Sequence, residues 1–209
     1  MTSSKINKKP EWDYYTHIWK TEAAYLSWIR GQIRRMWNHC PQKIEFLKKN
    51  TQQLPKLDEN GDEIKFKNGK VRLYKSYVCN YCEKVCYDAD KRGKKKSYAV
   101  DHIKGNHSLT KFEHVPVFLD SILRVRPEDL QILCTDCHDI KTYAEKEDIP
   151  FKEALFQKIA IKHKNEKTDK QFFIDRGLDI PKNQELRREK IVEILKQEED
   201  KENSLYDLF

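Results

Sequence analysis

Two pairs of cysteines in this chain have the spacing of a metal site. Cys79 and Cys82 are separated by two residues, and so are Cys134 and Cys137. A gap of two residues lets both thiolates of a pair face one ion across a tight turn, and four sulfurs from two such turns complete the closed tetrahedral shell of structural zinc. Four unrelated thiols are the alternative, which the repeated spacing disfavours. The pattern therefore predicts one structural zinc ion bound by these four cysteines.

An Asp-His pair and a further histidine lie inside and directly after the cysteine pairs. Asp101 and His102 end a strand-like stretch, and His138 follows the last cysteine and opens a helix-like stretch. An Asp and a His on two separate elements can bind one divalent cation, and an adjacent histidine that is not a ligand can activate water at neutral pH. The zinc ion would hold the strand and the helix in register. The arrangement predicts a hydrolytic centre at these three residues.

Residues 77–147 resemble the HNH nuclease family, whose core is a ββα-metal fold. The resemblance is carried by residues 77–82 (YVCNYC), 100–103 (VDHI) and 129–142 (DLQILCTDCHDIKT). The long apolar insert between the second and third of these segments looks like the version found in many bacteriophage HNH proteins. The resemblance covers about a third of the chain.

This resemblance implies a role for each residue of the hydrolytic centre. His102 would be the general base that takes a proton from the attacking water. Asp101 and His138 would bind one catalytic Mg²⁺ or a similar divalent cation, and the products would carry 5′-phosphate and 3′-hydroxyl ends. Lys141, one turn beyond His138, would contact a phosphate; a solvated helix lysine is the alternative.

The chain departs from the family pattern at Asp129. The family usually has Asn at this position, where it pins a loop by donating and accepting backbone hydrogen bonds. An ionised Asp can only accept. We therefore expect Asp129 to be the loop-pinning residue; an acceptor-only side chain either still holds the loop or weakens it.

The elements that precede the hydrolytic centre follow from local patterning. Apolar residues recur every three or four positions over 12–37, which predicts a helix that Gly31 would interrupt, and Pro41 fits the first turn of a second helix. Asn60-Gly61 and Asn68-Gly69 are hairpin-turn dipeptides, and the strand-like pieces beside them lead into the first cysteine pair.

The second half of the chain is predicted to be mostly helical. A strand over 97–100 delivers Asp101, a short helix lies within 108–123, and residues 130–147 form a strand end, a cysteine turn and a helix. Three further helices are predicted at 151–163, at 170–176 with Gly177 as the stop, and at 183–197.

These elements together predict an α+β, mostly helical fold. Its centre would be a ββα-metal (HNH) core with two zinc-knuckle cysteine pairs, flanked by N- and C-terminal helices. The expected domains are an N-terminal helical region at 1–54, the zinc-stapled core at 55–148, a C-terminal helical region at 149–200 and a tail at 201–209.

The net charge of +7 comes from 41 basic and 34 acidic side chains, so the distribution of charge matters more than its sum. Lys94, Lys95 and Lys96 form a basic run near the predicted centre. Such a run attracts phosphates, although a solvated face is the alternative. We predict that double-stranded DNA is the partner, with contacts from this run and from Lys141.

The C-terminal tail has apolar and aromatic residues that are costly on a free end. It resembles the terminal sliding-clamp-binding peptides of replication proteins, particularly those of T4-like phages. Such peptides place a Leu and a terminal Phe in a clamp pocket, so the resemblance implies that Leu205, Leu208 and Phe209 bind a sliding clamp. The alternative is a tail that folds back onto its own core.

Nothing in the sequence predicts a membrane segment. No apolar run approaches the roughly 20 residues that span a bilayer, and the first residues lack the apolar stretch of a signal peptide. We expect a soluble cytoplasmic protein, in the bacterial host cell if it is phage-encoded. In that reducing compartment paired cysteines favour metal over disulfides. Cys86 is a competing ligand by position, but we interpret Cys86 and Cys40 as ordinary thiols.

The function predicted from these features is a metal-dependent HNH endonuclease that hydrolyses DNA. One active centre cuts one strand, so a monomer would nick. The alternative is a non-catalytic zinc module that binds DNA or a replication protein, which Asp129 and the tail would fit. An RNA-cutting enzyme is a third possibility.

Overall fold

The computed structural model describes residues 17–55, 57–58, 60–88, 96–105 and 108–206, with side chains described through residue 199. The chain divides into two compact units, of which the first ends at Cys134 and the second begins at Thr135. The fold is mixed α+β and about 53% helical, which confirms the predicted fold class at that level. The finer domain boundaries expected from the sequence stay predictions.

Two helices open the described part of the first unit. Helix α1 spans Glu22–Asn38 and helix α2 spans Pro41–Lys49. The Thr21 hydroxyl accepts the Ala24 N–H at 3.2 Å, which caps α1 and fixes its start. Residues 12–16 of the predicted helix lie outside the described residues, residues 17–21 precede the helix, and Gly31 does not interrupt it. The buried side of α1 consists of Leu26, Ile33 and Trp37.

The first sheet is antiparallel and has the order β1-β2-β3. Its strands are β1 (Gln52–Pro55), β2 (Leu73–Val78) and β3 (Val85–Tyr87). The connection from β1 to β2 contains two turns in which Gly61 has φ 86° and Gly69 has φ 79°. Glycine suits both positions because it has no Cβ to clash in the left-handed region. The turns predicted at Asn60-Gly61 and Asn68-Gly69 are therefore present.

The second sheet pairs β4 (Tyr98–His102) with β5 (Leu130–Cys134) in antiparallel register, from Tyr98 opposite Cys134 to His102 opposite Leu130. Every residue of β5 is buried, which explains its continuous apolar run. Helix α3 (Val115–Leu123) lies in the connection between the strands, where a short helix was predicted. Strand β4 extends two residues beyond the predicted 97–100 and includes Asp101 and His102.

The second unit is helical. It contains α4 (Thr135–Glu147), α5 (Phe151–Asn165), α6 (Asp169–Ile174) and α7 (Gln184–Tyr206). Gly177, with φ 63°, follows α6 and allows the chain to turn there. Among the described residues, no helix has both the length and the apolar character that crossing a membrane requires. The core of this unit is formed by Ala160, Phe172, Phe173 and Ile191.

A buried ion pair joins α6 to α7. The Nε of Arg187 donates to Oδ2 of Asp169 at 2.7 Å, and Nη1 donates to the carbonyl oxygens of Pro181 and Lys182 at 3.0 and 3.2 Å. Asp169 is 6% exposed and Arg187 is 9% exposed. The hydrogen bond and charge of Arg187 hold the pKa of Asp169 below its ordinary value. The pair therefore stabilises the second unit at neutral pH.

We expect Asp169→Asn to lower the free energy of unfolding by about 2–4 kcal/mol, because it leaves the Arg187 guanidinium buried without its charged partner. The contribution is complete above the unfolded-state pKa of about 3.9 and is lost as the pH falls through the lower folded-state pKa. Urea unfolding of the wild type and the variant at several pH values measures this difference. Asp179→Asn, at an exposed position, is the control; equal destabilisation by both variants would contradict the expectation.

Candidate metal centre

The four cysteines of the two predicted pairs lie together. Their sulfur atoms, on Cys79, Cys82, Cys134 and Cys137, all lie within 4.8 Å of one another. The Sγ atoms of Cys82 and Cys134 are 3.7 Å apart. A tetrahedral ion with Zn–S bonds of about 2.3 Å would place its sulfurs roughly 3.8 Å apart. The cluster therefore has the composition and the dimensions of a structural zinc site.

The first cysteine pair lies in the tight turn between β2 and β3. Cys79 directly follows β2, and its backbone N–H donates to the carbonyl oxygen of Lys84 at 3.0 Å. The Glu83 N–H donates back to the carbonyl oxygen of Cys79 at 3.0 Å, and Glu83 has φ 56°. This left-handed residue closes the turn. The backbone therefore curls around the site so that Cys79 and Cys82 face the same point.

Asn80 attaches this turn to the second cysteine pair. Its backbone N–H donates to the carbonyl oxygen of Ile132 at 2.8 Å, and its side-chain Oδ1 accepts the Ile132 N–H at 2.7 Å. Ile132 lies in β5, two residues before Cys134. The two hydrogen bonds thus set the separation of the cysteine pairs independently of an ion. Sequence reasoning assigned no role to Asn80; the signal was a polar residue inside a ligand pair, where hydrogen bonds outside the ligand shell commonly orient the ligands.

The local electrostatics distinguish Cys79 from its buried neighbour Cys86. Burial alone would raise the pKa of Cys79, but backbone hydrogen bonds from Cys82, Cys134 and Tyr81 lower it to about 7. Burial and the nearby cysteines raise the pKa of Cys86 to about 11. Cys79 is therefore prepared to be a thiolate ligand at neutral pH, whereas Cys86 stays protonated.

The imidazole of His102 is held on two sides. Its Nε2 lies 3.2 Å from the carbonyl oxygen of Ile122, and its ring packs against Trp37 with centroids 4.8 Å apart. Because a carbonyl oxygen only accepts, this contact assigns the proton to Nε2 and makes Nδ1 the basic nitrogen of the neutral ring. His102 is 7% exposed. These contacts restrict the orientation of the predicted base.

The carboxylate of Asp101 has a different partner. Gln131, directly opposite on β5, donates from Nε2 to Oδ2 of Asp101 at 2.9 Å. Gln131 is itself buried, and Asp101 is half-buried. Successive side chains of a strand leave on opposite faces, so Asp101 and His102 are held by separate sets of contacts.

The carboxylate of Asp129 stabilises the loop that leads into β5. Its Oδ2 accepts the Arg126 N–H at 2.9 Å, and its carbonyl oxygen accepts the Ile103 N–H at 2.8 Å. Ile103 directly follows His102. The contact that the side chain makes needs an acceptor alone, which an ionised carboxylate supplies.

His138 and Lys141 lie on the first turns of α4. His138 is half-buried and directly follows Cys137. Lys141 is 7% exposed and forms an ion pair with Glu145. The predicted contact of Lys141 with a phosphate stays a prediction. The burial of the Lys141 side chain supports neither that contact nor the alternative of a solvated helix lysine.

The structure describes only some of the remaining predicted contact residues. Lys96 is exposed, and its Nζ lies 3.6 Å from Oδ1 of Asp88. Leu205 lies in α7, and its side chain is outside the description. The other four predicted contact residues lie outside the described residues: Lys94, Lys95, Leu208 and Phe209.

No family model, no curated protein and no solved structure matches this chain. The described four-cysteine cluster supports a structural zinc ion. The catalytic cation predicted at Asp101 and His138 stays a proposal.

We expect the purified protein to contain one zinc ion per chain and Cys82→Ser to lose it. Cys82 is exposed, so the substitution removes a thiolate without opening a cavity. Elemental analysis after dialysis, with thermal unfolding in parallel, measures both the ion and its contribution to stability.

Cys86→Ala is the matched control for this experiment. Cys86 is a buried cysteine outside the four-sulfur cluster, so zinc content should stay at one ion per chain. Loss of zinc from Cys86→Ala together with retention in Cys82→Ser would show that the ligand set is wrong.

Proposed function

We propose that this chain is a metal-dependent HNH endonuclease that hydrolyses DNA phosphodiester bonds. One observation carries the proposal. Asp101 and His102 end a strand, β4, whose partner β5 ends at a zinc-type cysteine, and the helix that follows in sequence carries His138. This strand-strand-helix order, with these side chains at these positions, is the arrangement expected of a ββα-metal core.

His102 serves as the general base. Its Nε2–H is directed to the carbonyl oxygen of Ile122, so Nδ1 accepts the proton of the attacking water. The contact with Trp37 keeps the ring from rotating away from this orientation. A positioned base of this kind contributes on the order of 10²–10⁴ in rate.

Asp101 and His138 are the residues that would hold the catalytic cation. A carboxylate oxygen suits Mg²⁺ and Mn²⁺, and an imidazole nitrogen suits divalent transition metals such as Ni²⁺ and Zn²⁺. The hydrogen bond from Gln131 would orient the carboxylate as outer contacts of metal ligands do. When bound, the cation stabilises the charge that develops on the phosphate and on the leaving 3′ oxygen. The products then carry 5′-phosphate and 3′-hydroxyl ends.

Asp129 fits this proposal despite its departure from the family's Asn. Its carboxylate accepts the Arg126 N–H, and its carbonyl oxygen accepts the N–H of the residue after His102. Asp129 acts only as an acceptor in both contacts, so an ionised carboxylate at this position is compatible with a fixed end of β4. A single centre of this type cuts one strand, so the expected product of a monomer is a nick.

We expect His102→Ala to lower the rate of plasmid nicking in Mg²⁺ or Mn²⁺ by at least about 100-fold, because it removes the proton acceptor. Conversion of supercoiled to open-circular plasmid measures the rate. His102→Gln is tested beside it, since an amide fills most of the buried space that the alanine would leave empty. Zinc content and circular dichroism of both variants must match the wild type.

His39→Ala is the control, at an exposed histidine in the turn after α1. Equal nicking by wild type, His39→Ala and His102→Ala would disprove the role of His102. DNA binding without cleavage in any divalent cation would instead favour the alternative, a non-catalytic zinc module. Faster cleavage of a matched RNA duplex would identify an RNA-cutting enzyme.

Recruitment by a sliding clamp is a further part of the proposal and rests on the tail sequence. We expect removal of residues 204–209 to abolish capture by a cognate sliding clamp while leaving plasmid nicking unchanged, because the tail lies outside the hydrolytic centre in sequence. Pull-down of the full chain and the truncated chain measures this. Full capture of the truncated chain would show that the tail is not the segment that binds the clamp.

A further inference from the structure

The connection from β1 to β2 has an uneven charge: its first half carries four acidic residues, at 58, 59, 62 and 63, and the basic residues cluster after them. We name residues 64–75 the basic ribbon; it contains five cations and no acidic side chain, whereas the whole chain has a net charge of +7 over 209 residues. Lys65, Lys67 and Lys70 are exposed. Among the described side chains, none of these three lysines has an ion-pair partner within 4.0 Å. The ribbon therefore presents concentrated positive charge to solvent.

The backbone of the basic ribbon is a defined two-stranded hairpin. The Phe66 N–H donates to the carbonyl oxygen of Lys70 at 2.8 Å, and the Gly69 N–H donates to the carbonyl oxygen of Phe66 at 2.9 Å. Lys65 pairs with Val71 in an antiparallel bridge, and the φ of 79° at Gly69 fits a three-residue loop with a left-handed last position. Lys65, Lys70 and Arg72 thus lie on the two arms of the hairpin, and Lys67 lies in its turn.

Aromatic side chains hold the guanidinium of Arg72 on one face of this hairpin. Its Cζ lies 5.5 Å from the centroid of Phe66 and 5.2 Å from the centroid of Tyr74. Tyr74 in turn packs edge-on against Tyr87 with centroids 6.3 Å apart. Cation–π contacts restrict the rotamers of Arg72, so less entropy is lost when its N–H groups bind an acceptor.

The basic ribbon is continuous with the strand that leads to the zinc ligands. Its last residues belong to β2, and Cys79 directly follows that strand. Six residues of extended chain separate Arg72 from Cys79, and the seven steps along it correspond to roughly 23 Å at about 3.3 Å per residue. The ribbon is therefore an arm of the first unit at a set distance along the strand from Cys79.

We infer that the basic ribbon is a DNA-docking arm that inserts its strand pair into the major groove of duplex DNA, with Lys65, Lys67 and Lys70 on phosphates and Arg72 on acceptor edges. A two-stranded ribbon fits the roughly 12 Å width of that groove, and arginine binds planar acceptors with two parallel hydrogen bonds. The inference rests on the proposed endonuclease function, to which it adds the surface that binds the substrate. It assigns binding to residues outside the hydrolytic centre.

The test is duplex binding by the full-length, zinc-loaded protein, measured by fluorescence anisotropy on a labelled 24-base-pair DNA without Mg²⁺ or Mn²⁺. We expect the triple variant Lys65→Gln/Lys67→Gln/Lys70→Gln to bind roughly 100-fold more weakly at 0.15 M salt and to lower the slope of log K against log salt by about 2.7, since each lost phosphate contact removes about 0.9. Arg72→Lys keeps the charge and should weaken binding about threefold to tenfold with an unchanged salt slope.

The matched control removes the same charge from the second unit. Lys164→Gln/Lys170→Gln/Lys182→Gln changes three exposed lysines there and should alter the affinity less than about threefold. Equal losses from both triple variants, or none from the ribbon variant, would overturn the inference. Tighter binding to single-stranded DNA than to the duplex would also overturn it.

Failure of the docking arm is distinguishable from failure of the proposed nuclease. If the wild type binds the duplex through the ribbon but nicks no plasmid in any divalent cation, the endonuclease proposal fails and the arm stands. If nicking depends on His102 while the ribbon variant binds and nicks like the wild type, the arm fails and the endonuclease stands.

Discussion

The two sheets of this protein depend on how four cysteine sulfurs are held around one point. Four negative sulfurs within 4.8 Å of one another repel strongly unless a cation lies among them. The chain prepares the site in two ways: backbone N–H groups bring the pKa of Cys79 to about 7, and Asn80 fixes the turn to β5. Because β5 pairs along its whole length with β4, the same contacts determine where Asp101 and His102 lie.

Much of this arrangement follows from local sequence. The spacing within the two cysteine pairs, the proline at the start of α2 and the glycines at 61, 69 and 177 each constrain only their neighbours. Such short-range rules can be applied to a sequence without knowledge of its fold. They predict the mixed α+β class, the turns and the four-cysteine cluster.

The contacts that join distant segments could not be obtained in this way. Asn80 meets Ile132, the imidazole of His102 meets Trp37 and the Ile122 carbonyl, and Gln131 meets the Asp101 carboxylate. Each depends on strand register or on packing of remote helices, which no local pattern encodes. Similarly, the helix predicted over 12–37 begins only at Glu22 among the described residues, because the Thr21 hydroxyl caps it there.

The order of the zinc ligands along the chain also determines when the zinc site can form during synthesis. Cys82 and Cys134, whose sulfurs are 3.7 Å apart in the folded protein, are 52 residues apart in sequence. At 5–20 residues per second a ribosome needs roughly 3–10 s to add that interval. Throughout it, Cys79 and Cys82 have no partner pair, and β4, once it has been made, has no β5 to pair with. The nascent chain therefore passes through an intermediate with an incomplete zinc site. This site gains its other two ligands only after the second cysteine pair has left the exit tunnel.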